Sequence, residues 1–300
     1  ALISPKDGFA VAVGDRPGIS EVFVVGKFAK HLREEEPDAF MHLETIVKGD
    51  MLATAMFLSD PARTKQRFRR TVAYCDTRLA LSALGYSGEA RQAPARELLA
   101  LLYEAGAQVR CFSHTLDEMS SILLMCAIRI EKNDLRDSYG DTIEYFLHKG
   151  LRPSEIRLAA EKLTQHLAAF HVTVVDKPSF DQKYLIDEQK LATALDARIH
   201  YGNENALWRD VASVSSIIRL RAGRTTHIIE ESKALFVTTN RALVQAVSEH
   251  MSDGENHAIP PAVTDVSLAN LLWLKLPMRA PDLPRNRLIA ACYAATQPDQ

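Results

Sequence analysis

Two periods of apolar spacing alternate along this chain, and their order predicts its architecture. From Glu21 to Phe57 the apolar positions fall three and four apart, with Val22, Val25, Phe28, Ala29 and Leu32 on one stripe. Phe40 to Leu58 repeats the habit around Gly49, so two or three helices precede any strand. Pro5, Gly8, Gly14, Pro17 and Gly18 mark an irregular lead-in, and Asp60-Pro61 ends the helical region. From Thr71 the pattern changes. Short runs of strand composition, at 71–75, 107–111, 171–175, 234–238 and 259–263, alternate with helical stretches. Helices are predicted at 79–84, 94–105, 116–125, 184–198, 205–221, 242–250 and 268–274, with a last one near 287–295. Strand, helix, strand at this spacing means parallel pairing through crossover helices. The fifth strand belongs at an edge, because Pro260 and Pro261 cannot serve an internal ladder. A more polar helical stretch at about 131–170, broken at Gly150 and Pro153, reads as an insertion. The predicted organisation is a helical N-terminal region over 1–70 and an α/β domain over 71–300 that carries the insertion.

Composition adds boundaries to that picture. The 300 residues are 47% hydrophobic and 25% charged, enough for a sizeable core. A net charge of −2 gives no global field toward nucleic acid or anionic lipid, so any such contact rests on local patches. Cys75, Cys111, Cys126 and Cys292 lie far apart without a Cys-x-x-Cys spacing and read as reduced core residues of a cytoplasmic protein, not as a zinc site. No apolar run approaches the roughly 18 residues of a membrane span, and no signal-peptide pattern is present. The chain begins at Ala1 without Met, as a piece of a longer protein would.

Candidate chemistry gathers where strands end. Asp76 follows the first strand directly, and open α/β folds place ligands at that edge of the sheet. Glu118, Asn240 and Asp265 stand near the helix starts that follow three of the other strands, and Asp210 lies inside a helix upstream of the fourth. Each has a local explanation. Asp76, Asn240 and Asp265 suit helix N-caps, and Glu118 completes a Thr-x-x-Glu capping box with Thr115. Asp210 is too deep in its helix to cap it, and beside Trp208, Val211 and Val214 it needs a partner, a metal or a residue such as Arg209. His114, four residues before Glu118, suits an ordinary hydrogen-bonded histidine or the same site. Carboxylates forced together repel unless they share a hard cation such as Mg²⁺ or Mn²⁺, and such a cluster suits hydrolysis of a phosphodiester by water. Just upstream, Arg63, Lys65, Arg67, Arg69 and Arg70 put five cations into eight residues. The run reads as a solvated face or as phosphate contacts, with Phe68 available for stacking.

These motifs resemble PIN-domain nucleases. Tyr74-Cys-Asp76-Thr77-Arg78-Leu79 is similar to the family's opening strand and Asp-Thr-Asn/Ser motif. Ser113-His-Thr-Leu-Asp-Glu118-Met resembles its helix-borne Glu, Trp208-Arg-Asp210-Val its third acid, and Leu235-Phe-Val-Thr-Thr-Asn240 its last strand and ending. The likeness covers about 71–130 and 171–276. It implies an α/β/α sandwich around a parallel sheet, and Mg²⁺- or Mn²⁺-dependent cleavage of RNA, less often DNA. Asp76, Glu118 and Asp210 would be the metal ligands, with Asn240 joining the catalytic set and Asp265 a further carboxylate. Thr77 and Thr239 would position water or the scissile phosphate, and Arg63, Arg67, Arg69 and Arg70 the substrate backbone. Two positions depart from the family: Arg78 stands where Asn or Ser is usual, and Asn240 where Asp is common. An amide oxygen can hold a metal-bound water but adds no charge. The alternative is therefore a PIN-like module that binds nucleic acid or protein without cutting, its metal site decayed. A haloacid-dehalogenase-type phosphatase would need Asp-x-Asp, and this chain has Asp76-Thr-Arg78. A homo-oligomer or an inhibitory partner stays open.

Overall fold

A computed structural model of the chain describes residues 19–58, 67–134, 141–179, 184, 186–251 and 258–276. Five strands form one parallel sheet: β1 (Val72–Cys75), β2 (Gln108–Phe112), β3 (Val172–Val175), β4 (Ala234–Thr238) and β5 (Ala262–Thr264), in the spatial order β3-β2-β1-β4-β5. The three-layer α/β/α arrangement is the expected one.

Alternation along each strand builds the two cores, because successive side chains point to opposite faces. Ala73 and Cys75, Cys111, Leu235 and Val237, and Val263 enter one cluster. Tyr74, Phe112, Ala234 and Phe236, and Ala262 enter the other. The first cluster is closed by α3 (Thr77–Leu84), α4 (Glu89–Glu104), α5 (Ser113–Glu131) and α12 (Asp265–Lys275), together with α6 (Asp141–Lys149), α7 (Pro153–Glu161) and α8 (Leu163–Ala168). Phe146 of α6 and Ile156 of α7 lie in that same cluster, so the helices of the predicted insertion share the main core. The second cluster is closed by α9 (Glu188–Ile199), α10 (Glu204–Arg221) and α11 (Arg241–Met251). The N-terminal hairpin of α1 (Ile19–Glu35) and α2 (Pro37–Leu58) packs through α2 on α12.

Several boundaries move. Helix α4 starts at Glu89 and carries Pro94 inside it, where the sequence alone suggests a start at the proline. Strand β5 begins after both prolines, and Pro261 serves only through its carbonyl, which accepts from Phe236 N. The approach to β5 is held by Arg221, buried at the end of α10. Its guanidinium donates to the carbonyls of Ala234 (2.8 Å), Ile259 (2.7 Å) and Pro260 (2.8 Å), with no carboxylate among these contacts, and burial lowers its pKa to about 10. The buried Cys75, Cys111 and Cys126 are free thiols, as expected. No helix among the described residues is long and apolar enough to cross a membrane. The predicted helix near 287–295, the Asp60-Pro61 break, Cys292, Arg63 and Lys65 lie outside the described residues.

Candidate active site

The chain runs from β1 outward through β2 to β3 and then returns to place β4 on the other side of β1. That reversal makes a switch point between the C-terminal ends of β1 and β4, the place where open α/β sheets bind ligands. Asp76 stands on one side of it and Thr238, Thr239 and Asn240 on the other.

Asp76 does cap a helix, and it does more. Its Oδ1 accepts from Leu79 N at 2.7 Å, the N-cap contact of α3. Its Oδ2 crosses the switch point to accept from Thr238 Oγ1 at 2.5 Å and Thr239 N at 3.2 Å. Burial pushes the Asp76 carboxyl up from its ordinary value, and these three donors pull the other way. Thr238, to which the sequence motifs assign no role, donates its hydroxyl to Asp76 and accepts from Asn240 N at 3.0 Å.

Glu118 joins the two ends of the site. Thr77, next to Asp76, donates its hydroxyl to Glu118 Oε2 at 2.6 Å. Arg209, next to Asp210, donates to Glu118 Oε1 at 3.1 Å. Glu118 and Asp210 reach this edge from opposite layers, since α5 packs in the first cluster and α10 in the second. The expected capping box is absent from α5, whose N-cap is Phe112. Asp210, the seventh residue of α10, takes the partner its depth requires from Tyr201, whose hydroxyl donates to Oδ2 at 2.5 Å. Burial, chiefly, raises the Asp210 carboxyl to about 7, and the charges of Asp76 and Glu118 push it the same way. The three acids therefore lie in one electrostatic neighbourhood.

The remaining candidates divide. The Asn240 oxygen accepts from Leu243 N at 3.1 Å, the capping role, at the site's edge. Asp265 is the first residue of α12 and its cap is Thr264, whose hydroxyl accepts from Ser267 N at 3.0 Å. It opens from β5, two strand spacings or about 10 Å from β1, and the contacts that join Asp76, Glu118 and Asp210 do not include it. Arg67, Arg69 and Arg70 precede β1 and lie at the sheet's opposite edge, a strand length or about 20 Å from Asp76. They do not converge on it. Phe68 is fully buried, its side chain in the first core cluster, and offers no ring for stacking. Cations at the acidic edge are instead Arg209 and Arg78, the latter lowering both Asp76 and Asp210 through its charge.

Could this set hold a metal? Three carboxylates with an amide oxygen beside them are hard oxygen donors of the kind Mg²⁺ and Mn²⁺ prefer. Among the described residues, however, no three His, Cys, Asp or Glu side chains are grouped to hold an ion. Both oxygens of Asp76, both of Glu118 and one of Asp210 already face protein donors. The donor chemistry fits. Seating an ion asks Arg209 to release Glu118 Oε1 and Tyr201 to release Asp210 Oδ2.

His114 closes the rear of the site. The Ser213 hydroxyl donates to Arg209 O at 3.0 Å, so it must accept from His114 Nε2, 2.8 Å away. That leaves Nδ1 as a buried lone pair without a donor among the described residues. Burial, chiefly, lowers His114 to about 4. A depressed histidine pKa stabilises the fold above the unfolded value near 6.5 and loses that contribution as pH falls to about 4. The loss is no more than about 3 kcal/mol. Asp210 works against it, because a raised carboxyl stabilises at low pH and loses that contribution as pH rises from about 4 to about 7. Between pH 4 and 7 the two offset each other. Asp210→Asn should therefore unfold at higher denaturant than the parent at pH 8 and reveal the acid lability of His114 below pH 6. Identical midpoint-against-pH curves for the two proteins would refute this linkage.

No family model matches this chain, and neither the curated proteins nor the solved structures include a significant match.

Proposed function

We propose that this chain is a metal-dependent nuclease of the PIN-like kind, hydrolysing phosphodiester bonds, with RNA the favoured substrate. One observation carries the reading: Glu118 is bound by the sequence neighbours of both other acids, by Thr77 at 2.6 Å and by Arg209 at 3.1 Å. These contacts link three acids of separate elements through their neighbours, which supports a shared site near the sheet's switch point, although as they stand the acids form no ready-made ion cage. Asp76, Glu118 and Asp210 would hold Mg²⁺ or Mn²⁺, which supplies Lewis-acid activation of water and charge neutralisation at the phosphate. The chain's own residues do the rest. Leu79 N, Thr238 Oγ1 and Thr239 N lock the Asp76 carboxylate in place, so its position is set before substrate arrives. Tyr201 aims Asp210. Arg78 and Arg209 place positive charge at the edge a phosphate must approach.

The alternative is a binding module without cleavage, and a specific contact favours it. Arg209 already neutralises Glu118, and Asn240 gives the edge no fourth charge. Calorimetry with Mn²⁺, paired with cleavage of an end-labelled RNA, decides between them. The nuclease reading expects Mn²⁺ binding that weakens on acidification through pH 7, and cleavage abolished by chelation. No Mn²⁺ binding and no cleavage would leave the binding module.

A further inference from the structure

The opposite edge of the sheet carries a second set of groups that the acidic site does not use. Phe68, Arg69, Arg70 and Thr71 form a tight turn closed by Thr71 N donating to Phe68 O at 2.9 Å. Both ends of the turn are pinned. Phe68 is buried in the core and its N–H donates to Ala105 O at 3.0 Å. Thr71 is buried and its hydroxyl donates to Glu230 O at 2.8 Å. The two central residues, Arg69 and Arg70, are left exposed, with Arg67 exposed just before them. Gly106, at φ +87°, lies under Arg69: a Cβ there would come within 3.2 Å of Arg69 Cγ. Three residues earlier, the Tyr103 ring stacks on His171 with centroids 4.0 Å apart and planes 10° from parallel, yet Tyr103 remains 54% exposed.

The sheet order arranges these groups in a row. Tyr103 and His171 stand at the start of β3, Arg69 and Arg70 at the start of β1, and exposed Lys233 at the start of β4, where its carbonyl accepts from Val72 N. The span is three strand spacings, about 14 Å. None of the side chains of Arg67, Arg69, Arg70 and Lys233 makes an ion pair or hydrogen bond among the described residues, and Glu104 and Glu231, the acids beside them, have interactions of their own.

We infer that this edge is a docking surface for single-stranded nucleic acid, separate from the acidic site. Phosphates lie on Arg67, Arg69, Arg70 and Lys233, and one base stacks on the open face of Tyr103, with His171 behind it. A stacked, exposed aromatic pair beside unpaired cations suits a flexible strand whose bases are free to stack. With a net charge of −2, attraction to a polyanion must come from such a local patch. The choice of ligand rests on the nucleic-acid reading above. The surface lies about 20 Å from Asp76 and would anchor the strand outside the reacting region.

The test is fluorescence anisotropy of a labelled oligo(U) RNA of about 12 nucleotides with the full chain in EDTA. Measurements run from roughly 50 to 200 mM salt. Arg69→Ala/Arg70→Ala should weaken binding and flatten the log–log salt slope by about 1.4, the value for two lost single-strand phosphate contacts. Tyr103→Leu should weaken binding about ten-fold or more while keeping the slope. Both sets of side chains are exposed, and melting curves are to check that the variants fold. Unchanged affinity in either variant overturns the proposal, as does a parent chain that binds no oligonucleotide, whether or not it binds anionic vesicles. The same variants, assayed for cleavage, separate the two readings. Metal-stimulated cleavage with variant-insensitive binding removes this surface alone. Variant-sensitive binding without cleavage removes the nuclease alone.

Discussion

Replacing Asp76 with asparagine is expected to lower metal-stimulated RNA cleavage by about 10²–10³-fold or more, the scale of losing one preorganised charged group at a reacting centre. The structure also says what the same change does to the fold. The carboxylate accepts from Leu79 N, Thr238 Oγ1 and Thr239 N, and an amide has only one oxygen for them. If that oxygen keeps the cap on α3, the amide NH₂ faces Thr238 and Thr239. Thr238 can rotate its hydroxyl to accept, but the Thr239 N–H then meets another donor, at about 1–3 kcal/mol. Against this, the neutral amide escapes the burial penalty that raises the Asp76 carboxyl. The two effects oppose, so the melting temperature should change far less than the activity. Cleavage assays and thermal melts on one preparation check both, and full activity in the variant sinks the nuclease reading.

What the sequence made legible follows from which signals are local. The strand runs, the helix stripes and the Asp76 junction are all readable within a dozen residues, and β4 falls on the predicted 234–238. Pro94 misled because proline favours the first turn of a helix, whereas here Glu89 opens α4 one and a half turns earlier. Asp265 misled because Thr264, a residue that also reads as strand, takes the cap. Phe68 misled because four arginines around it suggested an exposed face, while its backbone pairs with Ala105 and its ring enters the core. The partners of the acids were hidden for a different reason. Thr238 bonds Asp76 across 162 positions and Arg209 bonds Glu118 across 91, separations with no periodicity to read. Tyr201 reaches Asp210 across nine positions, but only because the chain reverses at His200, whose φ of 56° is left-handed. The displacement of the arginines from the acids was legible in principle. In a parallel sheet, residues just before a strand and just after it occupy opposite edges.

At the arginine edge, the fold depends on a buried ion pair, and Lys275→Met is expected to destabilise the protein by about 3–5 kcal/mol. Lys275 Nζ lies 2.5 Å from Glu230 Oε1, and each side chain is 3% exposed. The contact is ionic without an aligned hydrogen bond, since Oε1 has no donor of acceptable geometry among the described residues. Lys275 ends α12, and Glu230 sits in the tight turn (Ile229–Glu231) that precedes β4. The backbone of Glu230 also anchors Thr71, so one pair ties the last described helix to the starts of β4 and β1. Removing the lysine leaves a carboxylate buried without its cation, and that penalty dominates the cost. The distinguishing variant is therefore the double one. Lys275→Met/Glu230→Met removes both charges and should recover most of the loss, because well-packed apolar replacements of a buried pair are often neutral or better. Urea unfolding reads the comparison through its midpoint at constant slope. A double variant as unstable as Lys275→Met would mean that lost packing of the lysine stem, not the stranded charge, sets the cost.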